Sequence, residues 1–159
     1  MKFLADQMLG KLTRWLRMAG HDVVYAGELR APSPEEDLHL LGKAKEEGRI
    51  LLTRDVELHR KALRKGIRSL LIRGITISSQ LREVSVECRE RIEINPERSR
   101  CPLCNGRLER KEVAEVRDLL PPKVARSSGP FWRCSTCGKV YWRGRHWEGI
   151  LRTLSESGG

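Results

Sequence analysis

Two C-x-x-C knuckles, Cys101-Pro102-Leu103-Cys104 and Cys134-Ser135-Thr136-Cys137, constrain this chain more tightly than anything else in it. Two residues between thiolates let one tight turn aim both sulfurs at a single tetrahedral ion, and a second knuckle completes a set of four ligands. Turn-prone residues, Asn105-Gly106 and Gly138, follow the knuckles. Disulfides and a redox dithiol are the alternatives. With no secretory pattern at the start, disulfides are disfavoured, and two matched knuckles suit a redox centre poorly. The pattern predicts structural Zn2+ on Cys101, Cys104, Cys134 and Cys137 in a zinc ribbon, with 29 residues inserted between its hairpins. Four protein ligands leave no open coordination position, so the ion serves folding and not chemistry. Cys88, the odd cysteine, reads as a small apolar residue on the preceding helix.

Upstream of the knuckles, strand-like and helix-like patterns alternate. Residues 2–5 and 21–25 are short and rich in β-branched or aromatic side chains; residues 49–53 and 67–72 carry the continuous runs Ile50-Leu51-Leu52 and Leu70-Leu71-Ile72. Continuous apolar strands are buried on both faces. Helices are expected between them, burying Leu9, Leu12, Leu16 and Ala19; then Leu38, Leu41 and Ala44, ending at Gly48; then Leu58, Ala62 and Leu63, ending at Gly66. A last helix over residues 79–91 turns Leu81, Val84 and Cys88 inward. Ser33-Pro34-Glu35-Glu36 has the features of a helix start, with a capping serine and proline at the first position. The order β-α-β-α-β-α-β-α predicts an α/β fold with a parallel sheet covered on both faces. The polar stretch from Asn95 to Arg100 marks a boundary, giving domains at 1–95 and 96–159.

Charge separates the two parts. Residues 1–97 hold 18 Lys/Arg against 15 Asp/Glu, whereas residues 98–159 hold 13 against 6, a net of +7 out of the chain's +10. A basic segment attracts polyanions through counterion release, although charge alone is equally a solvated surface. Aromatic residues concentrate in the same region: Phe131, Trp132, Tyr141, Trp142 and Trp147 interleave with Arg133, Arg143, Arg145 and His146. Rings that stack on unpaired bases beside phosphate-binding arginines suit RNA, and Trp142, Arg143 and Arg145 are the candidates for contact. Phe131 and Trp132 sit so close to the knuckle that they read as structural; Tyr141, Trp142 and Trp147 fit core and contact equally. No apolar run approaches the ~20 residues that span a bilayer, so no membrane role and a cytoplasmic location are expected.

Three acids stand where an open parallel sheet collects its functional groups. Asp6 follows the first strand, Asp55 follows the third in Leu51-Leu52-Thr53-Arg54-Asp55, and Asp37 begins the second helix. Carboxylates brought together repel unless a cation neutralises them, and hard oxygen donors suit Mg2+ or Mn2+. Such ions activate water at a phosphodiester without any histidine. Helix capping is the alternative for each acid taken singly. Lys11, Arg14 and Arg17 recur every three residues on the first helix and read as a solvated stripe; Lys11, Arg14 and Arg54 are candidate phosphate clamps.

Longer stretches resemble a known family. Phe3-Leu4-Ala5-Asp6-Gln7-Met8-Leu9-Gly10-Lys11-Leu12, Trp15-Leu16-Arg17-Met18-Ala19-Gly20 and Glu47-Gly48-Arg49-Ile50-Leu51-Leu52-Thr53-Arg54-Asp55 resemble the Mut7-C family, as do the segments around both knuckles and Val140-Tyr141-Trp142-Arg143-Gly144-Arg145-His146-Trp147. The resemblance covers nearly the whole chain. It implies a PIN-like three-layer domain with a central parallel sheet, then a small zinc ribbon. It also implies Mg2+- or Mn2+-dependent RNA cleavage, with Asp6, Asp37 and Asp55 on the family's acidic positions. A fourth acid is open between Glu36 and Glu57. The alternative is a non-catalytic RNA- or ribosome-binding protein; DNA is a less favoured substrate, and the oligomeric state, including a homodimer, stays open.

Overall fold

The computed structural model describes residues 1–29, 36–127 and 129–158. Its first part runs β1 (Lys2–Ala5), α1 (Gly10–Met18), β2 (Asp22–Tyr25), α2 (Glu36–Glu47), β3 (Ile50–Thr53), α3 (Val56–Arg64), β4 (Ser69–Leu71) and α4 (Ile77–Cys88). The four strands form one parallel sheet in the order β2-β1-β3-β4. The Ser33-Pro34-Glu35 helix start lies outside the described residues.

Strand alternation sorts the side chains into two cores. Phe3, Ala5, Ile50 and Leu52 face α1 and α4, where Leu12, Leu16, Leu81 and Val84 meet them. Leu4 and Leu51 face the opposite way, onto Leu40, Leu41 and Ala44 of α2 and Leu58 and Ala62 of α3. The sheet is thus the middle of three layers. Burying each leucine is worth about 1.5–3 kcal/mol over leaving it exposed, and a sheet covered on both faces explains why its strands lack polar alternation.

Three expectations about individual faces need correction. Leu38 and Leu63 are exposed, and Leu40 takes the inward place in α2. Each exposed leucine adjoins the apolar arc of its helix, where the sequence pattern alone does not fix the arc's edge. Arg17 does not belong to a solvated stripe; it is 1% exposed. Steps of three residues drift by about 60° per step on a helix of 3.6 residues per turn, so Arg17 points well away from Lys11 and joins Leu16 on the inner arc. The α4 helix stops at Cys88 because Arg89 adopts φ 52.

The second part contains β5 (Leu108–Lys111), the one-turn helices α5 (Val113–Val116) and α6 (Pro122–Ala125), β6 (Phe131–Cys134), β7 (Val140–Trp142) and α7 (His146–Glu156). Its strands form an antiparallel sheet in the order β5-β6-β7. The inserted residues build a small core in which Val116 and Leu120 pack with Phe131 and Val140. Leu154 of α7 returns to pack on the α1–α4 side of the parallel sheet. No helix of the described residues is long and apolar enough to cross a membrane.

Candidate functional site

The four cysteine sulfurs, Cys101, Cys104, Cys134 and Cys137, lie within 4.8 Å of one another. Cys101 and Cys137 are 3.7 Å apart and Cys104 and Cys134 3.4 Å. A tetrahedron with metal–sulfur bonds of about 2.3 Å has edges of about 3.8 Å, so the set is already close to the spacing of four ligands around one ion. Local turns create this. Asn105 (φ 65) and Gly138 (φ 74) reverse the chain behind the knuckles. Gly106 has no room for a Cβ, which would stand 2.8 Å from the Cys134 sulfur.

The thiols are inequivalent. Burial pushes Cys134 up, but the backbone N–H groups of Cys137 and Thr136 outweigh it and leave the thiol at about 7. Burial and the neighbouring thiols push Cys104 up to about 12. The four can hold one metal ion, and soft thiolate donors are those that zinc prefers.

The first knuckle is fastened to the parallel sheet. The Arg17 guanidinium donates to the carbonyls of Pro102 (3.2 Å) and Leu103 (3.1 Å), to the Val23 carbonyl, and through two nitrogens to the Glu28 carboxylate. Asn105 accepts from the Val23 N–H and donates to Asp22. An outward N–H of edge strand β2 is thereby covered by the ribbon. Sequence reasoning missed this role of Arg17; its signal was the 3.6-residue phase, which sets it beside Leu16.

At the other end of the sheet, β1 and β3 are neighbours whose chains leave in opposite directions, towards β2 and β4. A crevice outside the carboxyl ends of such strands is where α/β sheets bind ligands. Asp6 and Asp55 flank this point. Asp6 is buried and accepts three hydrogen bonds, from the Met8 N–H (3.0 Å), the Arg54 N–H (2.9 Å) and the Thr53 hydroxyl. The Thr53 oxygen also accepts from the Asp55 N–H. Asp55 caps α3 through one oxygen, taking the N–H groups of Glu57 and Leu58. Asp37 is bound to the Lys61 ammonium at 2.7 Å. That bond, with the fields of Asp37, Asp55 and Glu57, raises the lysine above its ordinary value. Glu57 pairs with Arg60, and the Glu36 side chain lies outside the described residues.

Thr53 therefore joins Asp6 to Asp55, and Lys61 joins Asp37 to the field of Asp55. Carboxylates are the hard donors that Mg2+ and Mn2+ take. Among the described residues, however, the cysteines form the one group of three or more candidate ligands close enough to share an ion. As arranged here, the acids do not make a finished divalent-ion site.

Beside Asp6 an open groove of about 640 Å³ is lined by Lys11, Arg54, Thr76, Gln80 and, from α7, Thr153 and Glu156. Two predicted clamps, Lys11 and Arg54, thus share one groove. Arg54 is steadied by the Gly74 carbonyl at 2.8 Å, and Lys11 has no ion-pair partner among the described residues. Arg14 is exposed outside the groove.

In the ribbon, Arg143 lies over Trp147 at 4.9 Å and over Trp132 at 5.9 Å. Trp132 and Phe131 are buried, as their place beside the knuckle predicts. Trp142 packs on the ribbon core, Arg145 is exposed, and the Tyr141 hydroxyl contacts the Cys101 sulfur at 3.1 Å.

No curated protein and no solved structure matches the chain. The family model described as the Mut7-C RNAse domain matches residues 1–154, across the parallel sheet, the cysteine centre and most of α7. The chain belongs to the Mut7-C RNAse domain family.

Proposed function

We propose that this protein is a ribonuclease that hydrolyses RNA phosphodiester bonds at the crevice beyond β1 and β3. The observation that carries the reading is the full-length family match, together with Asp6 and Asp55 at the point where the sheet's winding reverses, beside a groove lined by Lys11 and Arg54. Lys11 and Arg54 would hold phosphate oxygens, and Arg14 would extend the cationic approach. A bound Mg2+ or Mn2+ would supply activated water and charge neutralisation, with Asp6, Asp37 and Asp55 as its proposed ligands. Because the described acids do not converge on one point, no catalytic step is assigned to the ion. Zn2+ on Cys101, Cys104, Cys134 and Cys137 would be structural. Trp142, Arg143 and Arg145 of the basic ribbon would extend the RNA surface. The domain division at 95/96 and the PIN-like affinity of the three-layer part belong to the same proposal.

One observation favours a second reading, a non-catalytic RNA- or ribosome-binding protein. Asp6, Asp37 and Asp55 each already have partners in the absence of a divalent ion. Labelled single-stranded and structured RNA, incubated with wild-type protein in Mg2+, Mn2+ or EDTA, separates the two. Asp55→Asn is the variant of choice because asparagine caps a helix as well as aspartate does. The ribonuclease reading expects metal-dependent cutting that Asp55→Asn abolishes with fold and zinc retained. Binding without cutting would establish the second reading, and cutting that survives Asp55→Asn would reject this site.

A further inference from the structure

A second cleft lies between the ribbon and the parallel-sheet part, and it is walled by Trp132, Tyr141, Trp142, Arg143, His146 and Trp147. Its free space is about 70 Å³, with one side open. That is room for a few water molecules, or for one planar ring entering edge first. Trp132 is 3% exposed, and its indole N–H is buried without any acceptor. A buried donor left unpaired is costly and uncommon, so it marks a position where an incoming acceptor would be favoured. The Arg143 guanidinium, itself planar and cationic, already lies over the Trp132 and Trp147 rings.

We propose that this cleft takes an unpaired nucleobase of single-stranded RNA, an assignment that rests on the RNA reading above. The base would stack among the tryptophans and accept a hydrogen bond from the Trp132 N–H, while Arg143 moves to an adjoining phosphate. The position relative to the groove supports this occupant. His146 and Trp147, at the start of α7, line the cleft; Thr153 and Glu156, towards its end, line the groove beside Asp6. An eleven-residue helix is about 16 Å long, so one strand a few nucleotides long reaches from groove to cleft. The net charge of +7 over residues 98–159 favours a polyanion there.

The test uses the zinc-loaded full chain in EDTA-free buffer without added Mg2+ or Mn2+, and a fluorescently labelled 12-nucleotide single-stranded RNA. A second strand of equal length carries abasic residues. Wild-type protein is expected to bind the abasic strand about fivefold to tenfold more weakly, the range of one hydrogen bond and its stacking. Trp132→Phe keeps the ring and removes the unpaired donor. It should weaken binding of the normal strand severalfold, leave the abasic strand unaffected, and leave the melting temperature equal or higher. A purely structural Trp132 would not give that combination. Equal binding of the two strands by the wild type overturns the proposal without recourse to any variant, as does a Trp132→Phe protein that retains zinc and binds like the wild type. Base-dependent binding by a protein that cuts no RNA under any metal upholds the cleft and rejects the nuclease reading, so the two fail separately.

Discussion

The cysteine centre and the carboxylate edge are both sets of candidate metal ligands, yet only the first converges in the folded chain. Cys101, Cys104, Cys134 and Cys137 come within 4.8 Å, whereas Asp6, Asp37 and Asp55 each engage other groups. The difference lies in what else each side chain can do. A thiol is a weak hydrogen-bonding group, so little competes with its neighbours for its position. A carboxylate accepts strongly, and at the ends of strands and the starts of helices it finds unsatisfied backbone N–H groups. The knuckle builds its site from turns a few residues long. The carboxylate edge depends on three separate elements and on a lysine that now supplies the neutralising charge.

The largest expected effect concerns metal removal. Chelation should unfold the β5–β7 region, because its own core is small and structural zinc contributes on the order of 10 kcal/mol to folding in isolated zinc modules. Amide exchange on the stripped protein should show lost protection there and retained protection in β1 and β3. An unchanged exchange pattern after complete metal removal would show that the ribbon stands on packing alone. Next comes Arg17→Met, which leaves the carbonyls of Val23, Pro102 and Leu103 without this donor. It should cost about 3 kcal/mol in urea denaturation, within the range for breaking a buried charged network. A loss under about 1 kcal/mol would mean that the ribbon is held to the sheet by other contacts.

At the carboxylate edge the two aspartates should behave differently. Asp6→Asn replaces an acceptor oxygen where three donors point, and should cost about 1–3 kcal/mol; Asp55→Asn should stay within about 0.5 kcal/mol because the cap survives. Equal costs would contradict the hydrogen-bond assignment. The smallest effect is pH dependence. Burial first, then the neighbouring N-terminal charge, lower the His21 pKa below its ordinary 6.5. The unfolded chain therefore takes up this proton at a pH where the folded chain refuses it. Stability should fall as pH drops below 6.5 and towards the lowered folded value, and this component should vanish in His21→Gln. Urea midpoints at about pH 7.5 and 5.5 measure it; identical slopes in the two proteins would assign the pH dependence to other groups.

Much of this molecule is determined by sequence alone. Local turn geometry dictates the knuckles, and runs such as Ile50-Leu51-Leu52 dictate strands buried on both faces, because these features are settled within a few residues. Tertiary structure decided what depends on partners far along the chain. Arg17 became the fastening of the ribbon because helix phase turned it towards residues 85 and 86 positions away. Thr53 became the link between Asp6 and Asp55 only when β1 and β3 paired. Trp132 was legible as a core residue, but its unpaired N–H could not be read from sequence, since whether a buried donor finds an acceptor depends on everything packed around it.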